Sequence, residues 1–221
     1  MDAWNRQLPE RSTVFEVFAE AVKAIANGRR LELMELMAQG EHSVEELARL
    51  TGMAMTTTSA HLQTLNRAGL VSKRRERTTI NYKLSGDDVA QLYTAAKRVA
   101  LSRYPRLRDA LDDYMGRPDG GVPVIAPAEV TSSMYIIDVR PLDEYQEGHF
   151  PGAVSVPLDQ LIDRIDEIPK DKEIAVYCRG ELCRLATEAA ALLRDYEIEA
   201  MAMAEGIVEW RADKKVDLGI A

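Results

Sequence analysis

The sequence predicts a two-domain chain, in which a mainly α N-terminal part with a short β-hairpin precedes an α/β part with a mostly parallel sheet. Three observations predict it. The 221 residues exceed one average domain and accommodate two small ones. Arg117 to Pro123 holds two prolines and two glycines in seven residues, the composition of a linker. Across that stretch the pattern changes from helical spacing to short β-rich runs alternating with helical segments. The domains are therefore expected over 1–116 and 124–221, with a linker over 117–123.

In the first part, Ala21, Ala24 and Ile25 precede Gly28 at helical spacing, and Leu31, Met34, Leu36 and Met37 follow it. Two amphipathic helices are expected to meet near Asn27-Gly28, the second ending at Gly40. Ser43 with Glu46 is a capping-box pattern that opens a short helix to about Leu50. Thr51-Gly52 breaks the chain before another helix from about Ala54 to Ala68. Leu70 to Leu84 places β-formers (Val71, Thr78, Thr79, Ile80, Tyr82) on both sides of the charged stretch Arg74 to Arg77, as a hairpin with a basic tip requires. Helical residues then run from the cap-rich Ser85 to Asp88 through Leu92, Ala95, Ala96, Val99, Leu107, Leu111 and Tyr114, with Pro105 dividing the segment. That apolar stripe needs a partner.

In the second part, strands are expected at Met134 to Val139, Ala153 to Val156, Ile174 to Tyr177 and Ile198 to Met203. Helices are expected near 142–147, 158–167 and 184–195.

The net charge of -8 is unevenly spread: residues 1–116 carry +2 and residues 117–221 carry -10. Lys73, Arg74, Arg75 and Arg77 cluster beside Arg67, an electrostatic footprint for phosphates despite the acidic total; the plain alternative is a solvated basic turn. No apolar run approaches the roughly 20 residues of a membrane span. Met1 to Glu10 contains Trp4, Arg6, Pro9 and Glu10 where a signal peptide would be apolar, so a cytoplasmic protein with no membrane partner is expected. The two cysteines, Cys178 and Cys183, are too few for a disulfide framework or a four-cysteine zinc site.

Helix, turn, helix and a basic hairpin together describe a winged helix-turn-helix, whose second helix reads the major groove while the wing crosses the backbone. Thr56, Thr57, Ser59, His61 and Gln63, with Thr64, make the candidate reading helix polar on one side, and Ala60, Leu62, Leu65 and Ala68 are available for the core. Lys23 to Leu31, Ser43 to Ala48, Ser59-Ala60-His61-Leu62 and Ala68-Gly69-Leu70-Val71 resemble ArsR-type repressors in order over about residues 12–100. The resemblance implies a homodimer joined largely through its first and last helices, bound to a palindromic double-stranded DNA operator. Metal-sensing members resemble one another in cysteines within the helix before the reading helix, but Ser43 to Leu50 holds none. His42, His61 and His149 lie far apart, and neither a metal nor another cofactor is expected.

Tyr177-Cys178-Arg179-Gly180-Glu181-Leu182-Cys183-Arg184 follows an apolar run and precedes a helical stretch, so Cys178 is expected at a strand end with a loop leading into a helix. Loop amides, the helix dipole, Arg179 and Arg184 are expected to lower its pKa and to hold an anionic substrate along Arg179, Gly180, Glu181, Leu182 and Arg184. The plain alternative is a buried structural cysteine.

Asp138-Val139-Arg140, Glu144-Tyr145, Gly148 to Ala153, Pro157-Leu158, Cys178-Arg179-Gly180 and Gly206 with Glu209-Trp210 resemble the rhodanese family over roughly 123–216. The resemblance implies that Cys178 takes sulfur from a small donor such as thiosulfate or a persulfide and becomes a persulfide, with Asp138, Arg140, Glu144 and His149 as scaffold. Cys183 is a possible resolving thiol, or a small residue filling the helix start. The chain is thus expected to be a transcriptional regulator, a repressor, that senses or transfers sulfur at Cys178. Two alternatives remain: a sulfurtransferase whose helix-turn-helix mainly dimerises or localises it, and an oxyanion phosphatase or arsenate reductase using the Cys-x5-Arg pair Cys178 and Arg184, although Tyr177 stands where such enzymes carry histidine.

Overall fold

A computed structural model of the chain describes residues 10–116 and 121–220. The readings made of Met1 to Pro9 and of linker positions 117–120 lie outside them.

The N-terminal half is built from α1 (Arg11–Lys23), α2 (Gly28–Met37), β1 (His42–Ser43), α3 (Val44–Thr51), α4 (Met55–Arg67), β2 (Val71–Glu76), β3 (Thr79–Leu84), α5 (Asp87–Arg103) and α6 (Pro105–Met115). Local chemistry sets the boundaries. Asn27 caps α2 by accepting from the Arg30 amide at 3.2 Å, and Ser43 caps α3 by accepting from the Glu46 amide at 3.1 Å. Gly52 ends α3 at φ 65°, the left-handed conformation that glycine adopts without penalty. Pro105 opens α6 at its first position and forces Tyr104 before it into extended backbone. The three strands order β1-β3-β2, so the hairpin joins the short strand that leads into α3. Leu33, Met34, Met37, Leu47, Leu62, Leu65 and Val71 form the core between α2, α3, α4 and the hairpin.

Two expectations change here. In α4 it is Thr58 that is buried, its hydroxyl donating to the Ala54 carbonyl at 3.1 Å, while Ala60 faces solvent. A hydroxyl that bonds its own preceding turn buries without an unpaired polar atom. Gly40 lies beyond the end of α2, which closes at Met37. A Cβ there would come within 2.6 Å of Glu147 Cγ, so the glycine serves close approach of the two domains.

The C-terminal half contains β4 (Val124–Ile125), β5 (Tyr135–Asp138), α7 (Leu142–Gln146), β6 (Val154–Ser155), β7 (Ile174–Tyr177), α8 (Leu185–Asp195), β8 (Ala200–Met203) and α9 (Ile207–Asp213). Its strands form one parallel five-stranded sheet in the order β4-β8-β7-β5-β6. Strand β7 is central and buried on both faces. Ile174 and Val176 meet the cluster that includes Ala189, Ala190 and Leu193 of α8, and Ala175 and Tyr177 meet Ile207 and Trp210 of α9. The helix expected over 158–167 is instead two 3-10 turns, Leu158–Gln160 and Ile165–Glu167. Amides there bond three residues back, as Gln160 does to Pro157 and Ile168 to Ile165, which seats Leu161 and Ile168 in the core from a tighter coil than an α-helix. Among the described residues no helix is long and apolar enough to cross a membrane.

The two halves share a packed face. Helices α5 and α9 lie against each other, and Val208 of α9 is fully buried in the core cluster of the N-terminal half. Gly206, just before α9, faces the cysteine loop so closely that a Cβ would stand 2.3 Å from the Cys178 carbonyl and 2.6 Å from the Gly180 amide nitrogen. Both obstacles are backbone and cannot rotate away. Gly206→Ala is therefore expected to lower stability by about 1–3 kcal/mol through overpacking, read as an earlier midpoint in urea denaturation; an unchanged midpoint would refute the close approach.

Candidate functional site

Cys178 leaves the carboxyl end of the central strand β7, the position at which open parallel sheets present ligands. The loop from Cys178 to Arg184 then turns into α8, closed by a Cys183 amide bond to the Gly180 carbonyl at 3.0 Å. The Cys178 thiol is 3% exposed and donates to the Cys183 carbonyl at 3.1 Å.

The electrostatics depart from expectation. Burial pushes the Cys178 thiol well up from its ordinary value, and the hydrogen bond and charge of Cys183 add to that; the amides of Ala186 and Gly180 pull the other way without prevailing. Cys183 is the thiol that is lowered, first by the hydrogen bond from Cys178, then by the amides of Leu185 and Arg179 and the Arg179 charge, against the opposing effect of burial. Of the two thiols, Cys183 is the more easily ionised. The sequence places the helix start correctly but says nothing of which sulfur is desolvated, and desolvation is the largest effect on Cys178.

The two arginines expected to cradle a substrate are engaged elsewhere. Arg179 donates to the buried Glu144 carboxylate, Nε to both oxygens at 3.0 Å and Nη2 to Oε1 at 2.5 Å. Arg184 is half exposed, paired with Glu188 at 2.6 Å and lying over the Tyr114 ring. Gly180 and Leu182 stay in the loop, Gly180 buried and packed so closely that a Cβ would meet Val208 at 2.6 Å. Glu181 points to the other domain, 3.3 Å from the Lys97 ammonium.

The scaffold beside the loop is a buried charge network. Asp138 accepts from Arg140 Nε at 3.0 Å and Nη2 at 2.6 Å, and from the Tyr177 hydroxyl at 2.6 Å; both side chains of the ion pair are fully buried. Arg140 also donates to the Gly148 carbonyl at 2.7 Å. The ring of His149 stacks on Tyr145 with centroids 4.0 Å apart.

Residues absent from the sequence reading complete the site from the other domain. Gln39, fully buried, accepts from Arg140 Nη1 at 3.1 Å and donates to the Arg179 carbonyl in the cysteine loop at 3.3 Å. Lys97 of α5 is buried between Glu209 and Glu181 and bonds Glu209 closely. Glu209 in turn accepts from the Gly206 amide at 2.9 Å. Glu35, beside Lys97, Glu209 and the Tyr93 hydroxyl, is pushed up to about 7 by burial, with Lys97 opposing. A lysine or glutamine in a helical stretch ordinarily faces water, so no local signal identifies these as buried.

The polar residues expected to read DNA are all at least partly exposed. Thr56, Thr57 and Gln63 are exposed and Ser59 and His61 half-buried on α4. Thr56, Ser59 and Gln63 line a cleft with Thr78, Thr79 and Ile80 of the hairpin. Lys73, Arg74, Arg75 and Arg77 are all exposed on the hairpin, but Arg74 is clamped by Glu41 at 2.7 Å and Glu76 at 3.0 Å. Its charge is therefore largely matched within the domain.

The order of thiol reactivity follows from these surroundings. Brief alkylation at neutral pH is expected to modify Cys183 before Cys178, because Cys183 is the more exposed of the two and its pKa the lower. Tryptic cleavage after Arg179 puts the two on separate peptides for mass spectrometry, and equal or reversed labelling would contradict the assignment.

Residues 125–213 match the rhodanese-like domain model, and residues 27–73 match that of the bacterial regulatory protein arsR family. The HTH-type transcriptional regulator Rv0324 of Mycobacterium tuberculosis is 40% identical over 219 residues, covering 96% of each chain. A sulfurtransferase of Allochromatium vinosum is 29% identical over 80 residues, covering 36% of this chain and 74% of its own. Among solved structures, the homodimeric winged helix-turn-helix DNA-binding domain of a possible ArsR-family regulator from Mycobacterium bovis is 44% identical with a TM-score of 0.41, covering 44% of this chain and 91% of its own. With a relative matched along nearly its whole length, a helix-turn-helix and wing in the first half and a cysteine loop at the central strand of the second, this chain belongs to the arsR family of HTH-type transcriptional regulators and carries a rhodanese-like domain.

Proposed function

We propose that this regulator is a cytoplasmic homodimeric repressor that binds a double-stranded DNA operator, and that sulfur loading of its Cys178–Cys183 loop changes operator affinity. The observation that carries the reading is that the loop is bonded to the DNA-reading domain at two points: Gln39 holds the Arg179 carbonyl and Lys97 holds Glu181. A loop packed against Gly206, Val208 and these two side chains has no slack, so an added sulfur shifts bonds that the other domain shares.

The chemistry runs as thiol exchange. Cys178 gives up its proton to solvent and attacks the outer sulfur of thiosulfate or a persulfide. The donor's S–S bond breaks, and sulfite or a thiolate leaves with the bonding pair. Cys178 is then a persulfide. After shedding its proton to solvent, Cys183 attacks the Cys178 sulfur, closing a disulfide and expelling hydrosulfide.

The dimer is supported by uncovered apolar surface. Helix α1 has no buried residue and exposes Val14, Phe15, Val17 and Phe18, while α5 exposes Leu92 and Val99. Patches of this kind are ordinarily covered by a partner, here a second copy.

Gel-shift titration with reduced and polysulfide-treated protein tests the coupling. The treated wild type is expected to change affinity at least about fivefold, the low end of ordinary allosteric coupling. Cys178→Ser is expected to lose the response, and Lys97→Met to take up sulfur by mass while losing the response. An unchanged affinity in the wild type, or an equal response in Cys178→Ser, would sink the proposal.

Binding itself is tested by salt dependence. Replacing Lys73, Arg75 or Arg77 by alanine is expected to flatten the slope of log affinity against log salt by about one for each phosphate no longer neutralised. Arg74→Ala should change it less, because Glu41 and Glu76 already match that charge.

Sulfurtransferase turnover is a second reading, supported by the match to the Allochromatium vinosum protein. Cyanide-dependent thiocyanate formation measures it. An oxyanion phosphatase or arsenate reductase is a third reading, which predicts oxyanion turnover lost on Arg184→Ala; in this structure Arg184 is paired with Glu188.

A further inference from the structure

We propose that His42, Glu46 and Asp143 form a binding site for a divalent first-row transition ion at the seam between the two domains. One donor atom from each lies within 4.8 Å of the others, His42 and Glu46 from the helix-turn-helix and Asp143 from α7 of the rhodanese-like domain.

The state of His42 points to a ligand. The ring is 2% exposed, and its Nε2 lies 3.1 Å from the Leu36 carbonyl. A carbonyl oxygen only accepts, so Nε2 carries hydrogen and the lone pair of the neutral ring sits on Nδ1. Nδ1 is buried and makes no hydrogen bond, although a Glu46 carboxylate oxygen stands 3.2 Å away. A lone pair facing a carboxylate is repulsive, and a ring N–H there would not point along the line to that oxygen. A cation between the two satisfies both. A ligating histidine whose other nitrogen donates to a backbone carbonyl is also the usual arrangement around protein-bound metals.

The donor chemistry narrows the ion. One imidazole nitrogen and two carboxylates suit zinc, cobalt or manganese better than a thiol-seeking metal. Bonds of about 2.0–2.2 Å put donors roughly 3–4 Å apart, which the exposed Asp143 carboxylate reaches by rotation. The ion's two charges balance the two carboxylates. The seam is already tight at this point, since Gly40 lies against Glu147, one turn beyond Asp143. Bound there, the cation fastens α7 to the first turn of α3, beside β1, which pairs with the wing strand β3.

The test uses the full metal-free chain, with zinc, cobalt and manganese each added in equilibrium dialysis and counted by elemental mass spectrometry. The expected result is one ion per chain for at least one of the three, bound at least about tenfold more weakly by Asp143→Asn and Glu46→Gln. Both substitutions keep side-chain shape, at the exposed Asp143 and the half-buried Glu46, and circular dichroism without metal checks that they fold. Binding is also expected to persist in Cys178→Ser with Cys183→Ser and to raise Tm in that background. Absence of stoichiometric binding for all three ions would overturn the proposal. So would binding that is indifferent to Asp143→Asn, or that vanishes with the thiols.

Discussion

The fully buried Asp138–Arg140 pair is the interaction on which the rest of this structure depends. Two charges without water hold together only if every remaining donor and acceptor is met, and removing one partner of such a pair costs about 3–5 kcal/mol. Tyr177 meets Asp138 from the central strand, and the Gly148 carbonyl and Gln39 meet Arg140. Gln39 belongs to the other domain. The rhodanese-like core therefore completes its own buried ion pair only with a side chain from the DNA-reading half. The same glutamine holds the cysteine loop through the Arg179 carbonyl.

This arrangement gives the interface an unusual character. Contacts between domains are commonly wet and polar and leave the halves free to move. Here the seam includes a buried lysine between two glutamates, a glutamate held near neutral titration, and Val208 inserted into the neighbouring core. Such a seam resists small adjustments and favours discrete arrangements, the property a switch needs. The loop that carries the thiols, the glycine that packs on it and the glutamate that caps α9 all belong to that seam.

The cysteine loop shows how the same residues change meaning with their surroundings. Arg179 and Arg184 flank the thiols in sequence and suggest a positive cradle, yet Glu144 takes the first and Glu188 the second. Burial raises Cys178 and the hydrogen bond from Cys178 lowers Cys183, so Cys183 holds the lower pKa.

What the sequence determined by itself is the part governed by local rules. Helix caps at Asn27 and Ser43, the break at Gly52, the division at Pro105, the basic hairpin and the strand before Cys178 all follow from residue chemistry within a few positions, and each stands where that chemistry puts it. The 3-10 winding of 158–167 departs because its apolar spacing is compatible with either coil and the seat of Leu161 in the core selects one. Only tertiary structure decided that Gln39 and Lys97 are buried, that Gly40 and Gly206 serve close approach, and that Asp143 stands beside His42. The physical reason is the same in each case. Desolvation and charge pairing depend on which distant segments meet, and periodicity along one segment carries no record of what will cover it.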